Sequence, residues 1–200
     1  MENSKILKIN KKILSVGLGS DKKSDKEIII PENVVLPDDA PARMKTLRAE
    51  GRKWYLTVVY HPNTETPFAL FCHTNHHEKS AQTSDAIERL LSLARKKGIS
   101  EKYVSSVEDK THGESNTSKL TRTISLLLRH GVLISNIVLE LDKMEDVYVG
   151  SFLFQLKKFL SNYILEGTIA VGNTCPECET QLVYSEGCFK CPSCGHSKCG

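Results

Sequence analysis

The chain ends in CPECETQLVYSEGCFKCPSCGHSKCG, residues 175–200, and this stretch decides the architecture of its C-terminal part. Two Cys-Pro-x-Cys turns, at 175–178 and 191–194, are separated by twelve residues, and QLVYSEGCFK between them predicts a β-hairpin. Four sulfurs on two such turns supply the tetrahedral soft-ligand geometry that zinc prefers. We therefore expect a zinc-ribbon-like tail in residues 174–200, held folded by metal because so short a segment has little core.

The tail carries six cysteines, two more than a tetrahedral zinc site uses. The favoured ligand set consists of the cysteines of the two turns, which are Cys175, Cys178, Cys191 and Cys194. This set leaves Cys188 and Cys199 as spare thiols, whereas an alternative set with Cys188 in place of Cys194 leaves Cys194 and Cys199. Either spare pair suits a dithiol that exchanges with a disulfide. A third interpretation gives the tail disulfides only.

The seventh cysteine, Cys72, lies far from the tail in a Cys-His-x-x-His-His cluster with His73, His76 and His77. A second metal site is one interpretation of this spacing, and a polar loop is the favoured one. Cysteines concentrated at one end of a chain are typical of metal-binding cytosolic proteins rather than of secreted disulfide scaffolds. Together with the lack of a secretory leader or an 18-residue apolar run, this predicts a cytoplasmic protein.

Composition and pattern predict one main domain before the tail. The chain has 200 residues, 40% of them hydrophobic, and its net charge of +3 is too small to indicate a nucleic-acid or membrane partner. Residues 1–41 predict a flexible or extended arm. Residues 53–60 (KWYLTVVY) and 68–72 (FALFC) predict a β-hairpin because aromatic and β-branched residues dominate both. The hairpin belongs to a predicted α+β domain at 42–168, and 166–173 predict a link to the tail.

Three amphipathic helices are expected in this domain. The first follows possible N-caps at Thr83, Ser84 and Asp85 and ends at Gly98, the second runs from Leu120 to Gly131, and the third covers 150–165. The first two match at an offset of 33 residues, with the segment 89–98 aligned on 122–131. This offset indicates a duplicated helix-turn-helix unit, the alternative being chance agreement between two helices ended by glycine. The fold predicted is therefore α+β, a small sheet packed with three or more helices.

The tail resembles the C-terminus of class II, adenosylcobalamin-dependent ribonucleotide reductases. The region before it resembles the domain that precedes that tail, through the hairpin at 54–60 and 67–71, the helix at 120–131 and the helix after Gly150. The segment Thr83-Ser-Asp-Ala-Ile87 resembles the T-S-C-P-D-A-I signature of that domain but lacks its Cys-Pro, so no role of those two residues carries over. The resemblance covers about residues 42–200.

In that family the cysteine-rich tail is thought to re-reduce the active-site disulfide of the catalytic barrel. The resemblance therefore implies a redox role for Cys188 and Cys199, or for Cys194 and Cys199, and structural zinc on this chain. Adenosylcobalamin is implied only on a large catalytic partner chain, with a thioredoxin-type reductant as the second partner.

A ten-stranded barrel does not fit into 200 residues, so we do not expect a complete active site here. Two functions are open. The first is an accessory chain of a class II-like ribonucleoside-diphosphate reductase, acting in DNA precursor synthesis. The second is a zinc-ribbon module that binds nucleic acid or a protein without redox turnover. No membrane partner is expected, and nucleic acid is the less favoured partner.

Overall fold

The structure is a computed structural model. It describes residues 35, 38–62, 66–73, 81–109, 115–144 and 147–198. Nearly all of the arm predicted for residues 1–41 therefore lies outside the described residues. The predicted α+β class is confirmed, since the described residues form, in chain order, a three-stranded antiparallel sheet, five helices and a four-stranded sheet in the cysteine-rich C-terminal part. No helix in the described part of the chain has the length and hydropathy to cross a membrane.

The first sheet has the order β1-β2-β3 and contains the predicted hairpin. Its strands are β1 (Ala42–Ala49), β2 (Arg52–Tyr60) and β3 (Pro67–His73), all antiparallel. The sequence pattern did not predict β1 as a strand. Only Ala49 of β1 is buried, so this edge strand lacks the alternation of apolar and polar residues that marks a half-buried strand. Glu50 and Gly51 join it to β2, both with positive φ, as a two-residue hairpin turn of type I′ requires.

The helices follow the sheet in two pairs and a single helix. They are α1 (Ala81–Lys96), α2 (Glu101–Asp109), α3 (Asn116–Arg129), α4 (Ile134–Asp142) and α5 (Phe152–Ser161). An offset of 33 residues carries both ends of α2 onto those of α4, and it carries the end of α1 onto that of α3. Gly98 and Gly131, which follow the two longer helices, have φ of 72° and 75°. These bounds agree with the predicted duplication of a helix pair.

Two helix ends differ from the prediction. The residues expected to cap the first helix lie inside α1, which begins at Ala81, and Ser84 there accepts a hydrogen bond from the Asn116 side chain at 2.9 Å. The third helix is shorter than the predicted 150–165. Ser151 caps its start by accepting a hydrogen bond from Phe154 N–H at 3.1 Å, and after Ser161 the chain continues in tighter turns. Tight turns of this kind are common where an α-helix ends.

The core of the larger domain lies between the first sheet and the helices. Its largest fully buried side chains include Trp54, Leu56, Leu70, Leu90, Leu120, Ile124, Leu127, Ile137, Leu141, Leu156 and Leu160. Trp54 of β2 packs on Phe152 of α5, with ring centroids 4.7 Å apart. The sheet and the last helix are thereby fixed to each other before the chain enters the cysteine-bearing part.

The second sheet has the order β4-β5-β6-β7. Its strands are β4 (Ile169–Thr174), β5 (Gln181–Ser185), β6 (Cys188–Lys190) and β7 (Ser197–Lys198). Strand β4 occupies most of the stretch predicted as a link, so this stretch belongs to the sheet that carries the cysteines. Tyr184 of β5 attaches the sheet to α5, because its hydroxyl donates to the Ser161 carbonyl at 2.9 Å. Its ring packs on Phe189 within the sheet. We use the term cysteine module for residues 169–198.

Candidate metal centre and neighbouring thiols

The two Cys-Pro-x-Cys turns of the cysteine module are built alike. In each turn the N–H of the first cysteine donates to the carbonyl five residues later, and the N–H four residues later donates back to the carbonyl of that cysteine. These bonds are Cys175 N–H to Thr180 (2.8 Å), Glu179 N–H to Cys175 (2.9 Å), Cys191 N–H to His196 (2.7 Å) and Gly195 N–H to Cys191 (3.1 Å). Each turn folds tightly, and its two sulfurs point to one side, toward the other turn.

The residue directly after each turn has a left-handed backbone. Gly195 has φ of 75°, which glycine adopts without steric cost, and Glu179 occupies the equivalent place in the first turn with φ of 59°. The first turn has the same backbone without that glycine, so the glycine is a preference of this turn rather than a requirement.

The four sulfurs of the two turns come together in one cluster. Cys178 Sγ lies 3.3 Å from Cys191 Sγ, and Cys175 Sγ lies 3.5 Å from Cys194 Sγ. All four ligand atoms lie within 4.8 Å of one another. A tetrahedron with zinc–sulfur bonds of about 2.3 Å has sulfur–sulfur edges of about 3.8 Å. The cluster therefore has the size of a four-cysteine site, and it could hold a metal ion such as zinc.

Solvent access and charge differ within the cluster. Cys175 and Cys191 are buried, and Cys178 and Cys194 are exposed. Hydrogen bonds from the Thr180 hydroxyl and backbone lower the pKa of Cys178 to about 6. At Cys194 the His196 backbone favours the thiolate, but contact with Cys175 and desolvation outweigh it and raise the pKa to about 12. Without a bound cation the cluster therefore combines a Cys178 thiolate with a protonated Cys194 thiol. A bound metal cation stabilises thiolates, so Cys194 can then release its proton.

Thr180 belongs to the candidate site, and sequence patterns did not reveal it. Its carbonyl closes the first turn, and its hydroxyl lies 3.4 Å from Cys178 Sγ. Threonine is common in loops, so its identity gave no signal. The equivalence of the two turns was the available clue, since Thr180 and His196 both stand five residues after the first cysteine of their turn.

Cys188 lies outside the four-sulfur cluster. It stands in β6, and its sulfur is engaged in a disulfide. Cys188 lines a cleft of about 300 Å³ bordered by α4, α5 and the cysteine module, together with Lys157, Lys158 and Tyr184. Cys199, the other cysteine of the favoured spare pair, lies outside the described residues. Cys194, which the alternative ligand set leaves as a spare thiol, is part of the cluster.

The second candidate metal site is only partly described. Cys72 is buried, and desolvation raises the pKa of its thiol to about 12, which disfavours the thiolate that a metal requires. His73 is exposed, and His76 and His77 lie outside the described residues. Among the residues that the structure describes, the four cysteines of the tail are the only group of side chains placed to share a metal ion.

Comparison of the chain with protein-family models, with curated proteins and with solved structures found no match. The candidate site is therefore defined by its own geometry. Two equivalent cysteine turns hold four sulfurs at metal-binding distances, and a fifth tail cysteine nearby is engaged in a disulfide.

Proposed function

We propose that this chain is an accessory component of a class II-like ribonucleoside-diphosphate reductase. Its cysteine tail would pass reducing equivalents from a thioredoxin-type reductant to the active site of a large catalytic chain. The observation that carries this proposal is the division of the tail sulfurs. Four of them form the candidate metal cluster, and Cys188 is engaged in a disulfide outside it. A purely structural zinc module has no need of a separate redox-active pair.

The redox pair of this proposal is Cys188 and Cys199, two of the six cysteines of the tail. In the reduced tail, one thiolate of this pair would attack the active-site disulfide of the large chain and form a mixed disulfide. The second tail thiol would then displace the active-site thiol, so that the large chain gains two electrons and the tail becomes a disulfide. A reduced thioredoxin would reverse the oxidation of the tail by the same exchange and become oxidised.

The surroundings of Cys188 support such an exchange. Lys157 and Lys158 line the same cleft, and positive charge favours the thiolate, which is the attacking species. Lys157 forms an ion pair with Asp142 at 2.7 Å, which leaves Lys158 as the more available of the two cations. Zinc, bound by Cys175 and the other three cysteines of the cluster, would supply the fixed fold of the module.

Adenosylcobalamin is part of this proposal only on the large chain, and a cytoplasmic location follows from the need for a thioredoxin-type partner. The alternative function is a zinc-ribbon adaptor that binds nucleic acid or protein without redox turnover. The same four-sulfur cluster supports it, since such a module needs only the metal centre. The two functions differ in whether Cys188 and Cys199 are required.

The experiment uses the full chain with a matching large reductase chain. Cys199→Ser should abolish multiple turnover with thioredoxin and should spare a single turnover of pre-reduced enzyme, whose active-site thiols do not yet need the tail. Ser197→Ala, two residues away, serves as the matched control and should leave both assays unchanged. If Cys199→Ser supports multiple turnover at the parent rate, the shuttle is wrong and the adaptor function is favoured.

A further inference from the structure

The outer face of the first sheet exposes large side chains. Alternation along the strands sends Trp54, Leu56 and Leu70 into the core and sends their neighbours to the other side. Tyr55 and Phe71 are 43% and 42% exposed on that outer side. Met44, which lies on the same side through the register Met44–Thr57–Phe71, is 68% exposed.

Two cations stand at one end of this face. The register pairs Arg48 of β1 directly with Lys53 of β2, and both residues are exposed. Like charges directly opposite each other on one face of an antiparallel pair destabilise the sheet. In the part of the chain that the structure describes, no carboxylate forms an ion pair with either side chain. Such an uncompensated pair is what an anionic ligand would neutralise.

The positive charge of the chain is concentrated in the hairpin formed by β1 and β2. Residues 42–60 contain five arginine or lysine residues and one glutamate, a net of +4, whereas the whole chain carries +3. The remainder of the sequence is therefore close to neutral. The field over the first sheet is set by these residues and attracts a polyanion.

We propose that this face binds single-stranded nucleic acid, with bases stacking on Tyr55 and Phe71 and phosphates contacting Arg48 and Lys53. Tyr55 and Phe71 are diagonal neighbours on adjacent strands, a spacing of roughly 7–8 Å that suits successive bases of an extended strand. Aromatic platforms flanked by cations are how single strands are bound without sequence preference. A duplex buries its base faces in its own stack and offers the rings nothing to contact. An acidic protein would use the cations and leave the rings without a role.

This binding site goes beyond the proposed redox function and does not depend on it. The test is fluorescence anisotropy of the full, zinc-loaded chain with a labelled oligothymidylate of about 12 nucleotides. A duplex of equal length and polyglutamate serve as competitors. The ring variant combines Tyr55→Leu with Phe71→Leu, which keeps apolar side chains on the strands. Its matched control is Leu165→Ala, since Leu165 is an exposed apolar residue outside the sheet.

The charge variant combines Arg48→Gln with Lys53→Gln, and Lys102→Gln on α2 is its control. We expect the ring variant to weaken oligothymidylate binding about tenfold or more, since stacking on each ring is lost. The charge variant should reduce the slope of log affinity against log salt by about 1.4, because two phosphate contacts on a single strand are removed. It should fold at least as stably as the parent, since a like-charge pair is relieved, so weaker binding is not a loss of folding.

Several results of these experiments would contradict binding of single-stranded nucleic acid at this face. The inference is overturned if the oligothymidylate does not bind, if polyglutamate or duplex competes as well as single strand, or if the ring variant binds like the parent. Binding that survives both sheet variants and disappears on zinc removal belongs to the cysteine module. That result would also overturn the inference and would support the adaptor function instead.

Discussion

Ser125 of α3 closes the free edge of the first sheet at Leu70 of β3. The Ser125 hydroxyl accepts a hydrogen bond from Leu70 N–H at 2.8 Å and lies 2.9 Å from the Leu70 carbonyl oxygen. One turn earlier on the helix, the Thr121 hydroxyl accepts a hydrogen bond from Cys72 N–H at 3.3 Å. An edge strand otherwise presents unpaired backbone groups. Here helix side chains take the place of a fourth strand, which accounts for the burial of two hydroxyls in an apolar core.

Replacing Ser125 with alanine should lower the free energy of unfolding by about 1–3 kcal/mol, because the buried Leu70 N–H loses its hydrogen-bond partner. Thr123→Val is the matched control. Thr123 is also buried, but its hydroxyl donates to the Lys119 carbonyl, which lies within the same helix. Thr123→Val should therefore lower the free energy of unfolding much less than Ser125→Ala. Urea denaturation followed by circular dichroism measures both, and equal losses would contradict the edge-closing role.

The hairpin and the two cysteine turns could be predicted because their signals are local. Aromatic and β-branched residues dominate the stretch around Trp54, and the two turns repeat a short cysteine motif at a fixed distance. Glycines at 98 and 131 likewise mark the ends of two helices, and both have positive φ. In each case the residue type itself favours the observed backbone, so the sequence carries the information within a few positions.

The remaining elements depend on contacts between distant parts of the chain. Strand β1 is an edge strand rich in basic side chains, and its extended structure depends on its pairing with β2. Strand β4 contains Gly172 and no strong alternation, and it is defined by its pairing with β5. The choice between the two ligand sets was open for the same reason. The short distance between the sulfurs of Cys194 and Cys175 depends on the folded structure, and sequence spacing alone does not predict it.

Zinc binding should be stoichiometric and should depend on pH. Elemental analysis of the purified chain should give about one zinc per chain, because the cluster offers four sulfurs. Metal binding must displace the proton of Cys194, whose pKa is raised to about 12, so protons compete with zinc and affinity rises with pH. Below about pH 6 the Cys178 thiolate also becomes protonated, and affinity should fall more steeply.

Competition against a chromophoric chelator over a series of pH values measures this dependence. The sign is fixed by the raised pKa, since a group protonated in the metal-free protein must release its proton to bind. An affinity that does not change between neutral pH and pH 5 would contradict the assignment. A purified chain that is free of metal and still has an ordered cysteine module would contradict the metal centre itself.

The equivalent positions after the two cysteine turns allow a reciprocal test of backbone strain. Glu179 holds a left-handed backbone that glycine adopts more easily, so Glu179→Gly should stabilise the cysteine module by about 1 kcal/mol. Gly195→Ala should destabilise it by a similar amount. A methyl group at Gly195 meets no atom within 4 Å, so its cost is conformational rather than steric crowding. Guanidinium unfolding at fixed zinc concentration measures both, and changes of the same sign would refute the equivalence.

Removal of residues 174–200 should leave a cooperatively folding α+β domain with its helical circular dichroism signal. The largest buried side chains of the core all precede this segment, so its apolar burial is mostly retained. The melting temperature should fall, because Tyr184 and its hydrogen bond to Ser161 are removed. Tyr184→Phe in the full chain serves as the control and should reproduce only a small part of the fall. A truncated chain without helical signal would mean that the two parts fold as one unit.

The two ligand sets predict opposite results for two single substitutions. With the cluster formed by both cysteine turns, Cys194→Ser should lower zinc affinity by several orders of magnitude, and Cys188→Ser should leave it near the parent value. With the alternative set, Cys188→Ser would be the damaging change. Cys194 lies 3.5 Å from Cys175, whereas Cys188 is engaged in a disulfide, so we expect the first pattern. Both variants are compared at equal zinc activity, buffered by a chelator.

The same two variants separate metal binding from thiol exchange. In Cys188→Ser, zinc should remain bound while the tail can no longer form its disulfide, so alkylation after treatment with reduced thioredoxin should match alkylation before it. In the parent chain, thioredoxin should expose two additional thiols, one of them at Cys188. Mass spectrometry of the alkylated peptides identifies the positions. If thioredoxin exposes no new thiols in the zinc-loaded parent, no exchangeable disulfide exists beside the metal centre, and the module is a zinc-ribbon adaptor.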